Sequence, residues 1–457
     1  MIKKRIFVFF LFLIIPILYN NFTSKTVSLK YHKKYLSGVQ DNKWLIKKDY
    51  FGDTFLDYES KIKYGQYLNE YKPLINNSNS FELDNFSFQL FNSIALDRKD
   101  NVIISPISIS YALLMVNNGA KNATSSNIIS TLGLDGVKSE YIYTQIQKNI
   151  RNFKNKNLYI NNSLWIQSDD CYKPNKNYIK YTQDIFDADI FFVDFYTNYK
   201  KLIDDINKWT SEKTNYLIED IVSDRQIKKS TVQVLLNTLY YKNNWSLPFD
   251  TTKTKSLLFK GINGSFGTAM MYQTNYFYHM KNIYNNYEIL KLPFKDSSIS
   301  LLVFLPDSSI TLNDFLFKYD ILQFKDDIDI LKYKRGSVTL PKFNIDFNIS
   351  LKEILIDMGM FIPFDPNLAN FDKFWDYHNQ CRDNPPKHYI DIINHKANFN
   401  LDENGIEAVA ATSIIMNRIT SVNLEKQFNF YADRPFLYVL YDDETQSILF
   451  MGQYVGI

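Results

Sequence analysis

Few residues in this chain could do chemistry, and their spacing is poor for it. The five histidines, His32, His279, His378, His388 and His395, lack metal-ligand spacing. No phosphate-binding loop, nucleophile elbow, HExxH or paired CxxC is present, so no nucleophile and base can be assigned and an enzyme is not expected. Gly261-Ile262-Asn263-Gly264-Ser265-Phe266-Gly267 resembles a dinucleotide loop only superficially: it lies between strand-like runs, which makes it a hairpin turn. Asp402-Glu403-Asn404-Gly405 opens like a calcium loop, but Ser413 and Ile414 stand where the closing acid is required. Neither a metal nor a cofactor is therefore expected. Two features remain. Gly405-Ile406-Glu407-Ala408-Val409-Ala410-Ala411-Thr412-Ser413 is a run of small residues that could be strand or loop. Lys148, Arg151, Lys154 and Lys156 are four cations without an intervening acid, either a polyanion site or a solvated helix end.

The elements around these residues indicate one large body. The chain has 457 residues, 45% apolar and 16% aromatic, with a net charge of +3, which excludes disordered and disulfide-scaffold classes. Lys3, Lys4 and Arg5 account for +3, and residues 25–78 carry ten lysines against six acids, so the remainder is slightly acidic and unsuited to nucleic acid. Ile6 to Leu18 is apolar but makes only about 20 Å of helix, short of the ~30 Å bilayer core. Residues 1–24 are therefore expected to be a cleaved secretory signal, leaving a secreted mature chain without a membrane span. Residues 25–78, rich in Lys, Tyr and Asn, read as a loosely ordered extension, and Cys171 and Cys381 are too few to staple a fold.

From residue 79 onward the patterns sharpen. Helices are expected at Phe81–Leu96, Ser108–Asn117, Thr124–Leu132 and Lys200–Lys213; strands at Thr231–Tyr241, Ser298–Leu305, Ser337–Phe347, Phe436–Tyr441 and Ser447–Val455. Helices come mostly early and strands mostly late, which argues for an α+β body with largely antiparallel sheets. The stretch between Phe364 and His388, with its paired Pro385-Pro386, reads as a surface loop.

From about Phe81 to the C terminus the sequence resembles the serpins. The resemblance is carried by Asn101-Val102-Ile103-Ile104-Ser105-Pro106-Ile107-Ser108-Ile109, by Leu235-Leu236-Asn237-Thr238-Leu239-Tyr240-Tyr241-Lys242 followed by Trp245, and by Asn394-His395-Lys396-Ala397. Asp433-Arg434-Pro435-Phe436-Leu437 and Leu449-Phe450-Met451-Gly452 complete it in family order.

The resemblance implies a serpin domain over 79–457, with three β-sheets, eight or nine helices and an exposed reactive loop at about 405–427. It implies a monomeric suicide inhibitor: a serine protease cuts the loop, forms an acyl-enzyme, and the freed loop inserts into the central sheet. Ser105, Ser108, Asn237 and His395 would form a shutter beneath that sheet, Trp245 would pack at its opening end, and Lys342 would pair with Glu403 at the hinge base. The hinge would comprise Glu403, Gly405, Ile406, Glu407, Ala408, Val409, Ala410, Ala411 and Thr412. Ile406, Ala408, Ala410 and Thr412 would face inward, where small residues ease insertion; Ile406 stands where Thr, Ser or Val is commoner in the family, and Val409, which would face solvent, where a small residue is commoner. Family spacing puts the reactive bond at Ile419–Thr420, or, with a hinge one residue shorter, at Arg418–Ile419. The Lys148–Lys156 cluster lies near a helix that binds glycosaminoglycans in some members. The rival is a non-inhibitory serpin, a carrier, chaperone or storage protein.

Overall fold

A computed structural model describes residues 46–48, 54–56, 83–168, 172–377, 388–406 and 427–456. The leader 1–24, most of the extension, both cysteines, and residues 407–426 with Glu407 to Thr412 and both expected reactive bonds lie outside the described residues. Strands β1 (Ile46–Lys48) and β2 (Thr54–Leu56) pair antiparallel in a unit of their own.

In the body the first elements are α1 (Asp84–Ala95), β3 (Val102–Ile104), α2 (Pro106–Asn117), α3 (Asn122–Thr131), α4 (Ser139–Asn155), β4 (Leu158–Gln167), β5 (Tyr172–Pro174), α5 (Lys176–Phe186), β6 (Asp189–Val193) and α6 (Phe195–Lys213). There follow β7 (Gln233–Tyr241), β8 (Asn243–Asn244), β9 (Lys255–Gly261), β10 (Gly264–Asn282), β11 (Tyr287–Pro293), β12 (Ile299–Pro306), α7 (Leu312–Lys318), α8 (Ile321–Asp329) and β13 (Lys332–Pro341). The last are β14 (Phe343–Ser350), α9 (Lys352–Asp357), β15 (Trp375–Tyr377), β16 (Ile392–Leu401), β17 (Gly405–Ile406), β18 (Phe428–Tyr431), β19 (Phe436–Asp442) and β20 (Ser447–Tyr454).

The central sheet runs β6-β4-β7-β16-β17-β8, with β14 on the other side of β16. The nine-stranded sheet divides along β10: β9 pairs with Gly264–Met270, β13 with Met270–His279 and β11 with Tyr278–Asn282, so one long strand serves two sheets, giving three large sheets among the described residues beside the small β5–β15 pair. Sequence explains why the central sheet lies inside. Eight of the nine residues of β7 are buried, the near-continuous apolar pattern of a strand covered on both faces. Val234 and Leu236 pack outward with Trp165 and with Ile206 of α6, while Leu235 and Leu239 join the main core. Helix α2 is buried along its whole length, and Ser105 caps it by accepting the Ser108 N–H, with Pro106 in the first turn where no N–H is missed.

The expected hairpin at 261–267 is present, β9 and β10 joining at Gly261 and Gly264. The expected strand Ser337–Phe347 is instead two strands in different sheets. β13 pairs with β10 and β14 with β16, and the chain turns between them at Lys342, whose N–H donates to the Ala269 carbonyl at 2.8 Å. The apolar alternation changes phase at this point, Val338 and Leu340 being followed by Phe343, Ile345 and Phe347, so with Pro341 the break is marked in the sequence. Among the described residues no helix is long and apolar enough to cross a membrane.

Candidate functional site

In the seam between β7 and β16 two long strands from sequence-distant segments run parallel side by side. Six residue pairs close it, from Ile392 opposite Val234 to Ala397 opposite Leu239. Above the seam, β17 occupies the space between β16 and β8: Ile406 pairs with Leu401 on one side and Asn243 on the other, antiparallel to both. The first two residues of the expected moving strand therefore already sit in the sheet.

Several groups hold this hinge. Asp402 shapes the preceding turn, its carboxylate accepting the Asn404 and Gly405 N–H groups at 2.7 and 3.2 Å. Trp245 donates its backbone N–H to the Asn404 carbonyl (2.7 Å) and its indole N–H to the Asp402 carbonyl (2.9 Å), and its ring stacks on Phe294. Lys342 donates to the Glu403 carboxylate at 3.0 Å and the Thr254 hydroxyl to its other oxygen at 2.8 Å. Burial pushes the Glu403 carboxyl up, but hydrogen bonds from its own backbone N–H, Lys342 and Thr254 outweigh it and hold the group below its ordinary value. Gly405 has φ of +150°, and a Cβ there would lie 2.1 Å from the Asn243 carbonyl oxygen, so only glycine fits. Ile406 is 1% exposed within the main core, so the sheet accommodates this larger side chain at the first inward position.

Beneath the seam the shutter residues form one buried network. Asn237 Oδ1 accepts from the Ser108 hydroxyl at 2.8 Å and lies 2.7 Å from His395 Nδ1. The Ser105 backbone N–H donates to His395 Nε2 at 3.1 Å, so Nε2 is unprotonated and Nδ1 carries the hydrogen that Asn237 accepts. Burial depresses the His395 pKa from 6.5 to about 3, keeping the ring neutral. The network joins α2, β7 and β16 across the seam.

Residue-type reasoning passed over three members of this region. Asn162 on β4 accepts from the Asn237 amide at 2.6 Å. On the opposite face, Asn394 donates to the Ile221 carbonyl (2.9 Å) and Lys396 to the Asp220 carbonyl (3.0 Å), tying β16 to the segment that follows α6. One asparagine in an asparagine-rich chain gives no signal, but the alternation Asn394, His395, Lys396, Ala397 does place the polar pair outward.

The cation cluster occupies the end of α4, an amphipathic helix that buries Ile142, Ile146, Ile150 and Phe153. Lys148 and Arg151 are exposed, whereas Lys154 pairs with Asp187, and Lys156, with a side chain only 10% exposed, bonds Asp442 (2.9 Å) and Glu444 (2.8 Å). Half of the positive charge is thus spent within the fold.

Comparison with known proteins agrees with this geometry. The family model described as serpin (serine protease inhibitor) matches residues 82–457. Human antithrombin-III is 29% identical over 370 residues, covering 78% of this chain and 76% of that protein. The leukocyte elastase inhibitor of Xenopus laevis is 29% identical over 385 residues, covering 81% and 97%. The native-state crystal structure of the thermophilic serpin tengpin superposes with a TM-score of 0.72 at 26% identity, covering 84% of this chain and 96% of that one. With a family match over residues 82–457, the chain belongs to the serpin family.

Proposed function

We propose that this protein is a secreted suicide inhibitor of a serine protease, working by insertion of its cut loop into the β7/β16 seam. The observation that supports this most is the seated hinge. β17 is antiparallel to both β16 and β8, so it is the first rung of the strand that full insertion would extend. Insertion would replace the short parallel ladder between β7 and β16 with two antiparallel ladders, each further bond contributing about 0.5–1.5 kcal/mol net. Between Ile406 and Thr412 no charge or proline falls at an inward position, and Ala408 and Ala410 enter a packed sheet without overfilling it.

The reactive bond in this reading is Ile419–Thr420, fourteen residues on from Gly405, or Arg418–Ile419 if the target is trypsin-like. Lys154 and Lys156 are already paired with acids, which leaves Lys148 and Arg151 to meet any polyanion cofactor. Incubation with trypsin-like, chymotrypsin-like and elastase-like proteases, read by denaturing gel and intact mass, tests the proposal. A covalent complex with release of a C-terminal peptide beginning at Thr420 or Ile419 is expected. Loop cleavage without a complex would replace inhibition with a carrier, chaperone or storage role.

A further inference from the structure

We propose that an exposed tyrosine face on β10 and β13 is a second docking surface for the protease that attacks the loop, an inference that rests on the protease-target reading above. Tyr272, Tyr276 and Tyr278 alternate along the outer face of β10, 39%, 41% and 43% exposed, and Tyr333 of β13, opposite Tyr278, is 59% exposed. Isolated exposed aromatics are ordinary, but these are grouped and held in place. The Tyr276 and Tyr333 rings stack at 5.5 Å and the Tyr278 and Tyr333 rings lie 5.1 Å apart. Lys291 Nζ lies 5.8 Å from the Tyr278 ring centre while both Asp443 oxygens fix its ammonium at 2.7 Å. Rings already ordered before contact lose little freedom on binding, and tyrosine is among the residues that dominate interface energetics.

Continuity identifies the occupant. The same face passes from Thr274 through Ser337 to Asn429 of β18, with the Ser337 hydroxyl donating to the Asn429 side-chain Oδ1 at 2.8 Å. β18 is the first described strand after residues 407–426 and runs parallel to β13, pairing first at Gly336, so the tyrosine cluster flanks the end of β13 where the chain joins the sheet. Thr420 stands eight residues before Phe428, a tether of at most about 27 Å. A protease domain of about 200 residues has a radius of gyration of about 16 Å, so its body reaches the sheet while its cleft holds the loop. Arg335, level with Tyr276 and without an ion pair among the described residues, suits a partner patch that presents an acid beside hydrogen-bond acceptors.

The test compares wild type with Tyr276→Ala/Tyr333→Ala, using a protease from the panel that cuts the loop. The second-order rate of loop attack is measured alongside kcat/KM for a synthetic peptide of residues 410–427, which lacks the face. A fall of about tenfold for the variant, with peptide cleavage unchanged and largely restored by Tyr276→Phe/Tyr333→Phe, supports the surface. Tyr333→Ser alone, at the most exposed position, repeats the measurement in a chain whose packing is hardly touched. An unaltered rate of attack overturns the surface while leaving inhibition standing. A slowed attack that yields only cleaved product supports the surface and removes the inhibitor reading, and a loop that no protease cuts removes both.

Discussion

Lys342 and Glu403, sixty-one residues apart in sequence, meet at 3.0 Å where β14 begins and the hinge turn starts. The pair connects the base of the moving strand to the bend separating two sheets. Lys342 remains 44% exposed, so its removal in Lys342→Ala should cost about 1 kcal/mol or less. Glu403 titrates below its ordinary 4.5, so its contribution is present above that pH and lost as pH falls through the lowered value. Hydrogen exchange at residues 402–406 should rise in Lys342→Ala and, in wild type, below pH 4.5.

Gly405→Ala would place a methyl group 2.1 Å from the Asn243 carbonyl oxygen at a φ that alanine avoids. The hinge should leave the sheet. Because Trp245 hydrogen-bonds to both Asp402 and Asn404, its fluorescence should report the departure, together with a lower thermal midpoint; an unchanged emission spectrum would mean that the strand end tolerates the methyl.

Ile406→Glu asks a buried site to take a charge in place of a side chain whose burial contributes about 2–3 kcal/mol. The hinge should be released, so a protease should cut the loop faster than in wild type. Full insertion should be slower, because the same position must be buried again. The expected signature is a severalfold rise in the moles of inhibitor consumed per mole of protease, read from titration of protease activity.

His395 is neutral when folded, with a pKa near 3, and titrates near 6.5 when unfolded. The unfolded chain therefore binds the extra proton in the interval between, and stability falls as pH drops through it, by about 2 kcal/mol at pH 5. Thermal midpoints from pH 7.5 to 5 should decline in wild type and decline less in His395→Gln, where that titration is gone.

The shutter and the Lys342–Glu403 pair were legible because each lies inside a short signature, such as Asn394-His395-Lys396-Ala397, whose place in the family is fixed. Asn162 was not, since a strand asparagine acquires its role only when β4 lies beside β7, whereas Asp402 acts locally, on the N–H groups two and three residues on. Helix α4 is absent from the expected helices although Ile142, Ile146, Ile150 and Phe153 stand at helical spacing. The two pairings that consume Lys154 and Lys156 are contacts with residues 33 and 286 positions away, beyond the reach of local pattern. Ile406 reads in sequence as an obstacle to insertion; in the fold it is already buried, because the space between β16 and β8 opens above the last paired residues of the seam.

The central claim is that the loop between β17 and β18 becomes a strand of the central sheet once it is cut. A single cut in a surface loop ordinarily leaves stability unchanged or lowers it, since the freed ends gain freedom on unfolding. The direct measurement is the thermal midpoint before and after one cut within residues 413–426 by a non-target protease. Insertion predicts a cut form that melts well above the intact chain; a midpoint equal to or below that of the intact chain would contradict the account.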